Sequence, residues 1–494
     1  MISYLYNIFL FIVTIYASQF PLPISKCPEE DSLRNCLDQY QFKGPVYFRD
    51  NFSAYNKDIE FEFSWLVIYF PIAFIHPLDE FDVQSAIQCA AELNIPTVAR
   101  SGGHSYEGYS LGGKDCSLVI SLVNFNNITI DTISQTAVIG TGISLQPLYY
   151  KVQEHMFAFP GGTCPNVGVG GLMMGGGMGF LSHRFGMSSD NILDAQIVLA
   201  NGTVVYSAKK YPELLWAIRG AGNAGYGIIT ALTLRIYPIP KIVTRLSIEY
   251  DFDQTPLLFS VLDQLGPNFH QNLTTYILIN SDSGPSTNID CIYLGSADEL
   301  RHHVDVQEFI KLSKPKNVTY IENDLYHIEV TGELLAHGYF KSLTFFFDQK
   351  GIPYEGIKYL MKFMKSFKCV VHSETLLIAG GKINEIRRNE TAFVHRGFKY
   401  HIAMFAHFPD AHSEETEECF QELENFSQHV LQNYASYECY QNLVDRQLDN
   451  WQCRYYVENF ERLVEIKQKY DPYNLFRWNQ SIPTTTNISC NVLD

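Results

Sequence analysis

Three glycine-rich segments carry residue types that could hold a charged ligand against the main chain. They are Arg100-Ser-Gly-Gly-His-Ser-Tyr106, Gly161-Gly-Thr-Cys-Pro-Asn-Val-Gly-Val-Gly-Gly171 and Gly175-Gly-Gly-Met-Gly179. Glycine allows positive φ and a close approach of ligand to backbone, so successive N–H groups can point at one anionic group such as a pyrophosphate. One glycine pair is usually a turn, but three clusters in one region favour a dinucleotide site.

A Rossmann-type site for NAD is the first alternative, because Gly168-Val-Gly170 could begin a G-x-G-x-x-G fingerprint. Met173 stands where the third glycine is required. The residues Cys-Pro also precede the loop where a strand should lie. We therefore reject NAD binding of that kind.

The chain contains eleven cysteines, at positions 27, 36, 89, 116, 164, 291, 369, 419, 439, 453 and 490. An oxidising compartment would pair most of them, and the odd number leaves one thiol for another role. No C-x-x-C pair occurs, so a zinc cluster is not expected and we predict no metal site.

The N-terminus indicates export. An apolar run at 8–16 ends in Ala17 and Ser18, which predicts a signal peptide at 1–18. A single anchoring helix is the alternative, but the run is shorter than the ~20 residues that a span needs. N-x-S/T triplets add to the case for a secreted glycoprotein. They begin at Asn51, Asn127, Asn201, Asn272, Asn317, Asn389, Asn425, Asn479 and Asn487.

Composition describes an ordinary globular protein with a small-molecule ligand. The length of 494 residues predicts two domains or one domain with an insertion, and a content of 46% hydrophobic and 18% charged residues is that of an ordinary globular chain. The formal net charge of -17 repels nucleic acid and anionic lipid, so neither is expected as a partner. We expect a soluble monomer.

Two kinds of region must position the glycine-rich segments. A helix at 82–93 and a strand at 95–99 lead into the first segment, and further strands are predicted at 118–122, 128–130, 137–140, 194–200 and 228–237, with a helix at 145–154. Pro238 and Pro240 mark a boundary. Beyond it, strands at 245–250, 275–279, 343–347 and 398–407 alternate with helices at 297–312, 357–367 and 414–433. This pattern predicts an antiparallel sheet covered by helices.

Four motifs together resemble the berberine bridge enzyme-like family, within the vanillyl-alcohol-oxidase or p-cresol-methylhydroxylase type of FAD fold. They are Arg100-Ser-Gly-Gly-His-Ser-Tyr-Glu-Gly108, Gly162-Thr-Cys-Pro-Asn-Val-Gly-Val-Gly-Gly171, Leu214-Leu-Trp-Ala-Ile-Arg-Gly220 and Gln480-Ser-Ile-Pro483. The resemblance implies an α+β fold. It places an FAD-binding α/β domain at 68–240, a substrate domain of antiparallel sheet and helices at 241–445, and a C-terminal segment at 446–483 that returns to the FAD domain.

The same resemblance implies FAD bound through two covalent bonds. The histidine of the R-S-G-G-H motif is His104, which would bond the flavin 8α-methyl, and the cysteine of the G-x-C-P motif is Cys164, which would bond flavin C6. It also implies a disulfide between Cys36 and Cys89. The remaining cofactor contacts that it implies are Ser101, Gly102, Gly103, Ser105, Val167, Gly168, Gly170, Gly171, Asn223, Gly227 and Ile228.

Oxidation of an alcohol by a flavin requires a base for the hydroxyl proton. Family members often carry Gln or Glu in a Y-K-I-Q pattern, but here the pattern is Tyr400-His-Ile-Ala403. The sugar-oxidising branch uses a tyrosine of a Y-Y-G motif, which Tyr455-Tyr456 match although Val457 replaces the glycine. We therefore predict Tyr455 or Tyr456 as the base, although packing alone could explain either tyrosine. His401 is a further catalytic candidate, and Tyr106 is a predicted substrate contact.

Val167 bears on the electron acceptor, because in the family a valine three residues after the flavin-linked cysteine admits oxygen and a leucine blocks it. The resemblance thus implies an oxidase that forms hydrogen peroxide. Three functions remain open: an oxidase of a saccharide or other alcohol, which we favour, a tailoring oxidase of a secondary metabolite, and a flavin-binding protein without oxidase activity.

Overall fold

The computed structural model describes residues 26–222, 225–281, 285–329, 337–377 and 381–490. The predicted signal peptide at 1–18 and Asn223 lie outside these residues. No helix within the described ranges is long and apolar enough to cross a membrane.

Helices and short strands alternate along the first half, and longer strands alternate with helices in the second half. The α-helices are α1 (Glu30–Gln39), α2 (Phe52–Glu60), α3 (Glu80–Glu92), α4 (Leu145–Glu154), α5 (Val169–Met174), α6 (Ser182–Phe185), α7 (Pro212–Ile218), α8 (Thr255–Leu265), α9 (Ala297–His302), α10 (Val304–Ser313), α11 (Leu325–Glu329), α12 (Tyr354–Ser366), α13 (Lys382–Glu385), α14 (Glu414–Asn433), α15 (Trp451–Tyr456) and α16 (Phe460–Tyr470). The strands are β1 (Val46–Phe48), β2 (Ala73–Ile75), β3 (Thr97–Arg100), β4 (Leu118–Ser121), β5 (Ile128–Asp131), β6 (Thr136–Gly140), β7 (Phe157–Ala158), β8 (Ile192–Leu199), β9 (Val204–Val205), β10 (Gly227–Arg235), β11 (Tyr237–Pro238), β12 (Val243–Asp251), β13 (Leu273–Asn280), β14 (Ser286–Tyr293), β15 (Asn317–Asn323), β16 (Tyr339–Phe347), β17 (Val370–Leu377) and β18 (Tyr400–Phe408).

Two larger sheets and a two-stranded one, β7 with β11, lie in the first half of the chain. One has the order β1-β2-β4-β3, with β2, β4 and β3 parallel, and the other has the antiparallel order β5-β6-β10-β8-β9. Strands β2 and β4 are short, mostly apolar and buried along their whole length, as strands covered on both faces must be. Strand β3 ends at Arg100, which places the first glycine-rich segment at the carboxyl edge of this sheet.

The second half forms a seven-stranded antiparallel sheet of order β15-β12-β14-β13-β17-β18-β16. Side chains alternate between its two faces, because the side-chain period of a strand is two residues. One face packs against α8, α12 and α14 in the largest hydrophobic core, which includes Leu258, Ile357 and Phe426. The predicted antiparallel sheet covered by helices is confirmed, and the fold is α+β.

Two local predictions differ from the structure. The helix expected at 297–312 is divided into α9 and α10, because His303 has extended backbone angles, φ -67° and ψ 117°. Strands β14, β15 and β17 were not predicted from the sequence, since each mixes apolar residues with several polar ones.

Eight of the eleven cysteines are paired in four disulfides, Cys27–Cys116, Cys36–Cys89, Cys369–Cys419 and Cys453–Cys490. The implied Cys36–Cys89 pair is confirmed. The expectation of a single unpaired thiol is wrong, because Cys164, Cys291 and Cys439 are all free. Cys291 and Cys439 are buried, where a thiol packs as a small apolar side chain.

A buried ammonium joins three distant parts of the chain. Lys341 of β16 donates to Asp445 at 2.6 Å, to Gln447 at 2.8 Å and to Glu107 at 3.2 Å. Its side chain is 1% exposed, and Glu424 is a third carboxylate within 3.5 Å, so three carboxylates compensate a charge that water cannot reach. The network fixes the segment around Asp445 beside the glycine-rich region.

Residues near the C-terminal end of the described chain bind to β3, the edge strand of the parallel sheet. The Thr97 N–H donates to the Leu475 carbonyl at 3.1 Å, beside β3. Lys467 is fully buried and donates to Asp471, to the Gly225 carbonyl and to the Phe476 carbonyl. The last part of the described chain thus supports the region that carries the glycine-rich loops.

Candidate active site

The loop after β3 is anchored by a buried arginine. The Arg100 guanidinium donates to the Asp58 main-chain oxygen at 2.6 Å and also to its carboxylate. Asp58 lies on α2 and contacts His76 at 3.0 Å as well. This paired charge fixes the direction in which the chain enters Ser101–Ser105, since a buried guanidinium is stable only beside its partner.

The first two glycine-rich loops contact each other through main-chain atoms. A Cβ on Gly102 would lie 2.4 Å from the Gly168 nitrogen, which leaves no space for any side chain. Ser101 strengthens the contact, because its hydroxyl accepts from the Gly170 N–H at 3.2 Å and donates to the Thr141 carbonyl at 2.6 Å. The glycines at 102 and 168 are therefore required by this close approach.

His104 and Cys164, one from each loop, face one cavity of about 330 Å³. The His104 ring stacks on Phe63 with a centroid distance of 3.8 Å. Burial lowers the pKa of His104 to about 4, against smaller opposing effects of a main-chain hydrogen bond and of the Asn166 side chain, so the imidazole is neutral at neutral pH. No protein atom in the described residues lies in hydrogen-bonding geometry to its buried Nε2.

The Cys164 thiol is the one free thiol that borders the cavity within the described part of the chain. Burial and, to a smaller extent, the nearby Glu374 charge together raise its pKa to about 12. A glycine cradle, a free thiol and a buried imidazole nitrogen without a partner are the features that an FAD with protein attachments requires. The residues present therefore fit the cofactor that the sequence implies.

Most of the predicted cofactor contacts line this cavity. Those that do so are Ser101, Gly102, Gly103, Ser105, Val167, Gly168, Gly170 and Gly171. Gly227 and Ile228 instead begin β10, where they pair with Leu199 and Val198 of β8, and the lining residue of that strand is Ile229. Ile228 is 1% exposed and belongs to a hydrophobic core.

The seven-stranded sheet supplies the opposite wall of the cavity. Its second face, away from the helices, presents every other residue of four neighbouring strands. The lining residues on this face are Tyr276 of β13, His372, Glu374 and Leu376 of β17, His401, Ala403, Phe405 and His407 of β18, and Phe340 of β16. The site therefore lies between the glycine-rich loops and this sheet.

Glu374 carries the only carboxylate among the described residues that line the cavity. The Tyr276 hydroxyl donates to its Oε2, and His372 Nε2 lies 3.8 Å from its Oε1. Its side chain remains 24% accessible, on the side of the cavity. Burial raises the pKa of Glu374, while the bond from Tyr276 favours the charged form.

The four predicted catalytic residues also reach the cavity: Tyr106, His401, Tyr455 and Tyr456. Tyr106 lies edge-on to Phe63 with ring centroids 5.5 Å apart. His401 Nε2 is 2.7 Å from the Thr344 hydroxyl, and burial lowers the pKa of His401 to about 3. His401 is therefore neutral and already hydrogen-bonded.

The hydroxyls of Tyr455 and Tyr456 are bonded to the main chain. Tyr455 accepts from the Asp445 N–H at 2.9 Å, and Tyr456 donates to the Ala221 carbonyl at 3.0 Å. Burial raises the pKa of both, and the Asp445 charge raises that of Tyr455 further. Neither environment favours a tyrosinate, so the assignment of a base to this pair stays a prediction without support from geometry.

Sequence reasoning missed Glu374, Tyr276, His372 and Tyr440, all of which line the cavity. The Tyr440 hydroxyl accepts from the Gly177 N–H at 2.7 Å and from the Asn442 amide at 2.9 Å. For β17 the residue types give no clear alternation, because the buried Ser373 and Thr375 are polar, as are His372 and Glu374 on the cavity face.

Comparison with known proteins adds two family matches. A family profile described as "FAD binding domain" matches residues 71–207, and one described as "Berberine and berberine like" matches residues 439–483.

Individual relatives match over most of the chain. Monolignol oxidoreductase AtBBE-like 13 of Arabidopsis thaliana is 30% identical over 84% of each chain. Tetrahydroberberine oxidase of Berberis wilsoniae is 30% identical over 92% of this chain and 94% of its own. The solved xylooligosaccharide oxidase of Myceliophthora thermophila C1, in complex with xylobiose, has a TM-score of 0.83 at 25% identity, covering 92% of this chain and 99% of that one.

Proposed function

The chain belongs to the berberine bridge enzyme-like family of FAD-linked oxidoreductases, and from that premise we propose that it is a secreted alcohol oxidase carrying FAD on His104 and Cys164. The observation that supports the double attachment is that these two side chains face one cavity from two loops in main-chain contact. Cys164 also stays free while eight other cysteines are paired. A neutral imidazole is the form of histidine that can bond to carbon.

The proposed division of work follows the predicted segments 68–240, 241–445 and 446–483. The first segment holds the cofactor through the glycine-rich loops. The second presents the face of β13, β17, β18 and β16 to the substrate, and the third contacts both of the others. When bound, FAD would accept a hydride from the carbinol carbon of the alcohol. The residues of the chain then orient the alcohol, exclude water and accept its hydroxyl proton.

An aromatic alcohol is the substrate class that the geometry supports best. Phe63 stacks on Phe340 with centroids 4.9 Å apart, and Tyr106 lies 5.6 Å from Phe405, so rings from the loop side meet rings from the sheet in one aromatic wall. Such a wall favours a planar apolar group over a fully hydroxylated one. The monolignol oxidoreductase among the relatives is consistent with this class.

A saccharide is the second candidate, and it is the substrate class that the sequence alone favours. The observation in its favour is the polar group Tyr276, His372 and Glu374 on the sheet face, which could bind sugar hydroxyls. The similar structure with bound xylobiose supports this alternative. Tyr455 and Tyr456 give little support to a saccharide substrate in the structure, because the hydroxyls of both are hydrogen-bonded to the main chain.

Anaerobic titration of the purified protein tests the function. The visible flavin band is recorded while aromatic alcohols, then mono- and oligosaccharides, are added one at a time. Bleaching by an aromatic alcohol, reversed by air with release of hydrogen peroxide, is the expected result. Bleaching by sugars alone would select the second candidate, and a flavin band that nothing bleaches would indicate a flavin-binding protein without oxidase activity.

Val167→Leu tests the proposed oxygen acceptor. Val167 lines the cavity three residues after Cys164, and its N–H is bonded to the Cys164 carbonyl at 3.3 Å. One added carbon at this wall should slow reoxidation by oxygen about tenfold, equal to about 1.4 kcal/mol of barrier, and leave flavin reduction unchanged. Stopped-flow mixing of the reduced protein with oxygen measures the rate. Val138→Leu, at an exposed position of β6, is the matched control, and equal reoxidation in all three proteins would refute the gate.

Export is supported by the four disulfides, which persist in oxidising compartments. Eight of the nine N-x-S/T asparagines are exposed, and Asn272 is half-buried. Glycosidase treatment of the secreted protein should therefore lower its apparent mass. The predicted monomeric state stays a prediction that light scattering can check.

A further inference from the structure

A fully buried histidine lies behind one wall of the cavity. His395, between α13 and β18, is 0% exposed, and its ring stacks on Phe346 of β16 with centroids 4.6 Å apart. Its Nδ1 lies 2.7 Å from Glu438 Oε2, and its Nε2 lies 3.0 Å from Gln441 Oε1. Gln441 lines the cavity, so the ring connects a buried carboxylate to a side chain of the site.

The directions of these hydrogen bonds give His395 two ring protons. The Gln441 Nε2 group donates to the Gly220 carbonyl, so the atom that faces the ring is the amide oxygen, which can only accept. Glu438 also only accepts when it is ionised, and Arg388 bound to its Oε1 at 2.9 Å favours that form. Both ring nitrogens must therefore donate, which is the imidazolium form of His395.

The charges around the ring support this form. Arg388 binds Glu458 as well as Glu438, so two carboxylates balance the charges of Arg388 and His395. A buried cation is stable only beside such partners. Burial and, to a smaller extent, the charge of His395 lower the pKa of His401 to about 3. His395 thus acts as a fixed positive charge close to the cavity wall.

Two hydrogen-bond donors next to this ring have no acceptor within the described residues. The Gln441 oxygen binds His395 and one amide hydrogen binds a main-chain carbonyl, which leaves the second amide hydrogen. The Tyr440 hydroxyl already accepts two N–H bonds, at 2.7 and 2.9 Å, which leaves its own hydrogen. Both side chains line the cavity and are 4–5% exposed. Because a buried donor is costly to leave unpaired, the two are suited to a ligand that supplies acceptors.

We infer that Tyr440 and Gln441 bind the carbonyl edge of the flavin ring, and that His395 is the positioning residue that orients Gln441 and places a positive charge behind it. This inference rests on the proposed function. The carbonyl edge of a flavin offers acceptor oxygens, and it gains negative charge when the ring is reduced. Donors next to a cation favour the more negative form, so they should raise the reduction potential of the cofactor.

Gln441→Leu is the central variant, because it keeps much of the side-chain volume and removes the donor. The midpoint potential is measured without substrate, by reducing the flavoprotein beside a reference dye. The equilibrium constant for reduction should fall about tenfold, which lowers the potential of this two-electron couple by about 30 mV. Gln441→Glu places a negative charge at the same position and should lower the constant about a hundredfold, or by about 60 mV. Gln428→Leu, at an exposed position of α14, is the control and should keep the wild-type potential.

The role of His395 has its own measurements. In His395→Gln an amide can still donate to Gln441 but carries no charge, so the constant should fall about threefold, or by about 15 mV. Wild-type protein labelled with ¹⁵N-histidine should show two ring N–H signals at neutral pH that disappear in His395→Gln. A ring that carries a single N–H would contradict the imidazolium, and this measurement on the wild-type protein holds even if the variants fold poorly.

The outcomes separate this inference from the proposed function. Wild-type potentials in Gln441→Leu and Gln441→Glu, with flavin bound, would overturn the inference and leave the oxidase intact. Unchanged potentials with a raised KM for the alcohol would show that the donors bind the substrate oxygen, which also overturns it. Loss of flavin from Gln441→Leu at an unchanged urea midpoint would support the contact with the cofactor. A wild-type protein without flavin would contradict the proposed function itself.

Discussion

The double variant His104→Ala with Cys164→Ala should release all of its flavin on denaturation, whereas each single variant should keep flavin bound through the remaining link. Both side chains face the same cavity, and either bond alone ties the cofactor to the chain. The measurement is acid precipitation, followed by flavin absorbance of the pellet and of the supernatant. The wild-type pellet should be yellow and its supernatant colourless.

Cys291→Ala is the matched control for the thiol. Cys291 is a free thiol like Cys164, and burial raises its pKa to about 12 as well, but it is fully buried on β14 away from the cavity lining. Flavin retention should be unaffected there. Release of flavin from the wild-type protein would contradict the covalent bonds and leave only a dissociable cofactor.

Gly102→Ala should deplete the purified protein of flavin and destabilise its fold. The added Cβ would lie 2.4 Å from the Gly168 nitrogen and 2.6 Å from its Cα, and main-chain atoms cannot move aside as a side-chain tip can. Overpacking of this kind costs about 1–3 kcal/mol and sometimes more. Urea denaturation gives the free energy of unfolding, and the ratio of visible to ultraviolet absorbance gives the flavin content.

Gly171→Ala separates this main-chain contact from a general intolerance of the loop. Gly171 lies in the same segment, but a Cβ there would have no atom within 4 Å. Its free energy of unfolding should stay within about 0.5 kcal/mol of wild type. Equal stabilities for Gly102→Ala and Gly171→Ala would show that the loops can separate without cost.

The glycine-rich loops were the most predictable part of the site. Their composition alone indicated a close approach between backbone and ligand, and the contact of Gly102 with Gly168 shows one reason for it. Motif resemblance then supplied the roles of His104 and Cys164, which no spacing argument could have assigned. Long periodic segments were also found from sequence, as α14 at Glu414–Asn433 illustrates.

Proximity across the sheet was not predictable. Glu374 meets Ala403 only because β17 pairs with β18 in one particular register, and register depends on the packing of the whole sheet. The hydroxyl partners of Tyr455 and Tyr456 are equally invisible in sequence, since Asp445 and Ala221 come from distant segments. The prediction that Tyr455 or Tyr456 is the catalytic base therefore relied on a motif alone, because the sequence does not show which groups surround the two hydroxyls.

The return of the C-terminal residues to β3 has a consequence for synthesis. A ribosome releases the strand containing Thr97 long before it releases Leu475, whose carbonyl accepts the Thr97 N–H. The Gly225 carbonyl likewise lacks its donor until Lys467 has been synthesised, and the Glu107 carboxylate lacks one until Lys341 has been synthesised. The nascent cofactor-binding region thus emerges with buried polar groups unpaired, so FAD loading should follow completion of translation and not accompany it.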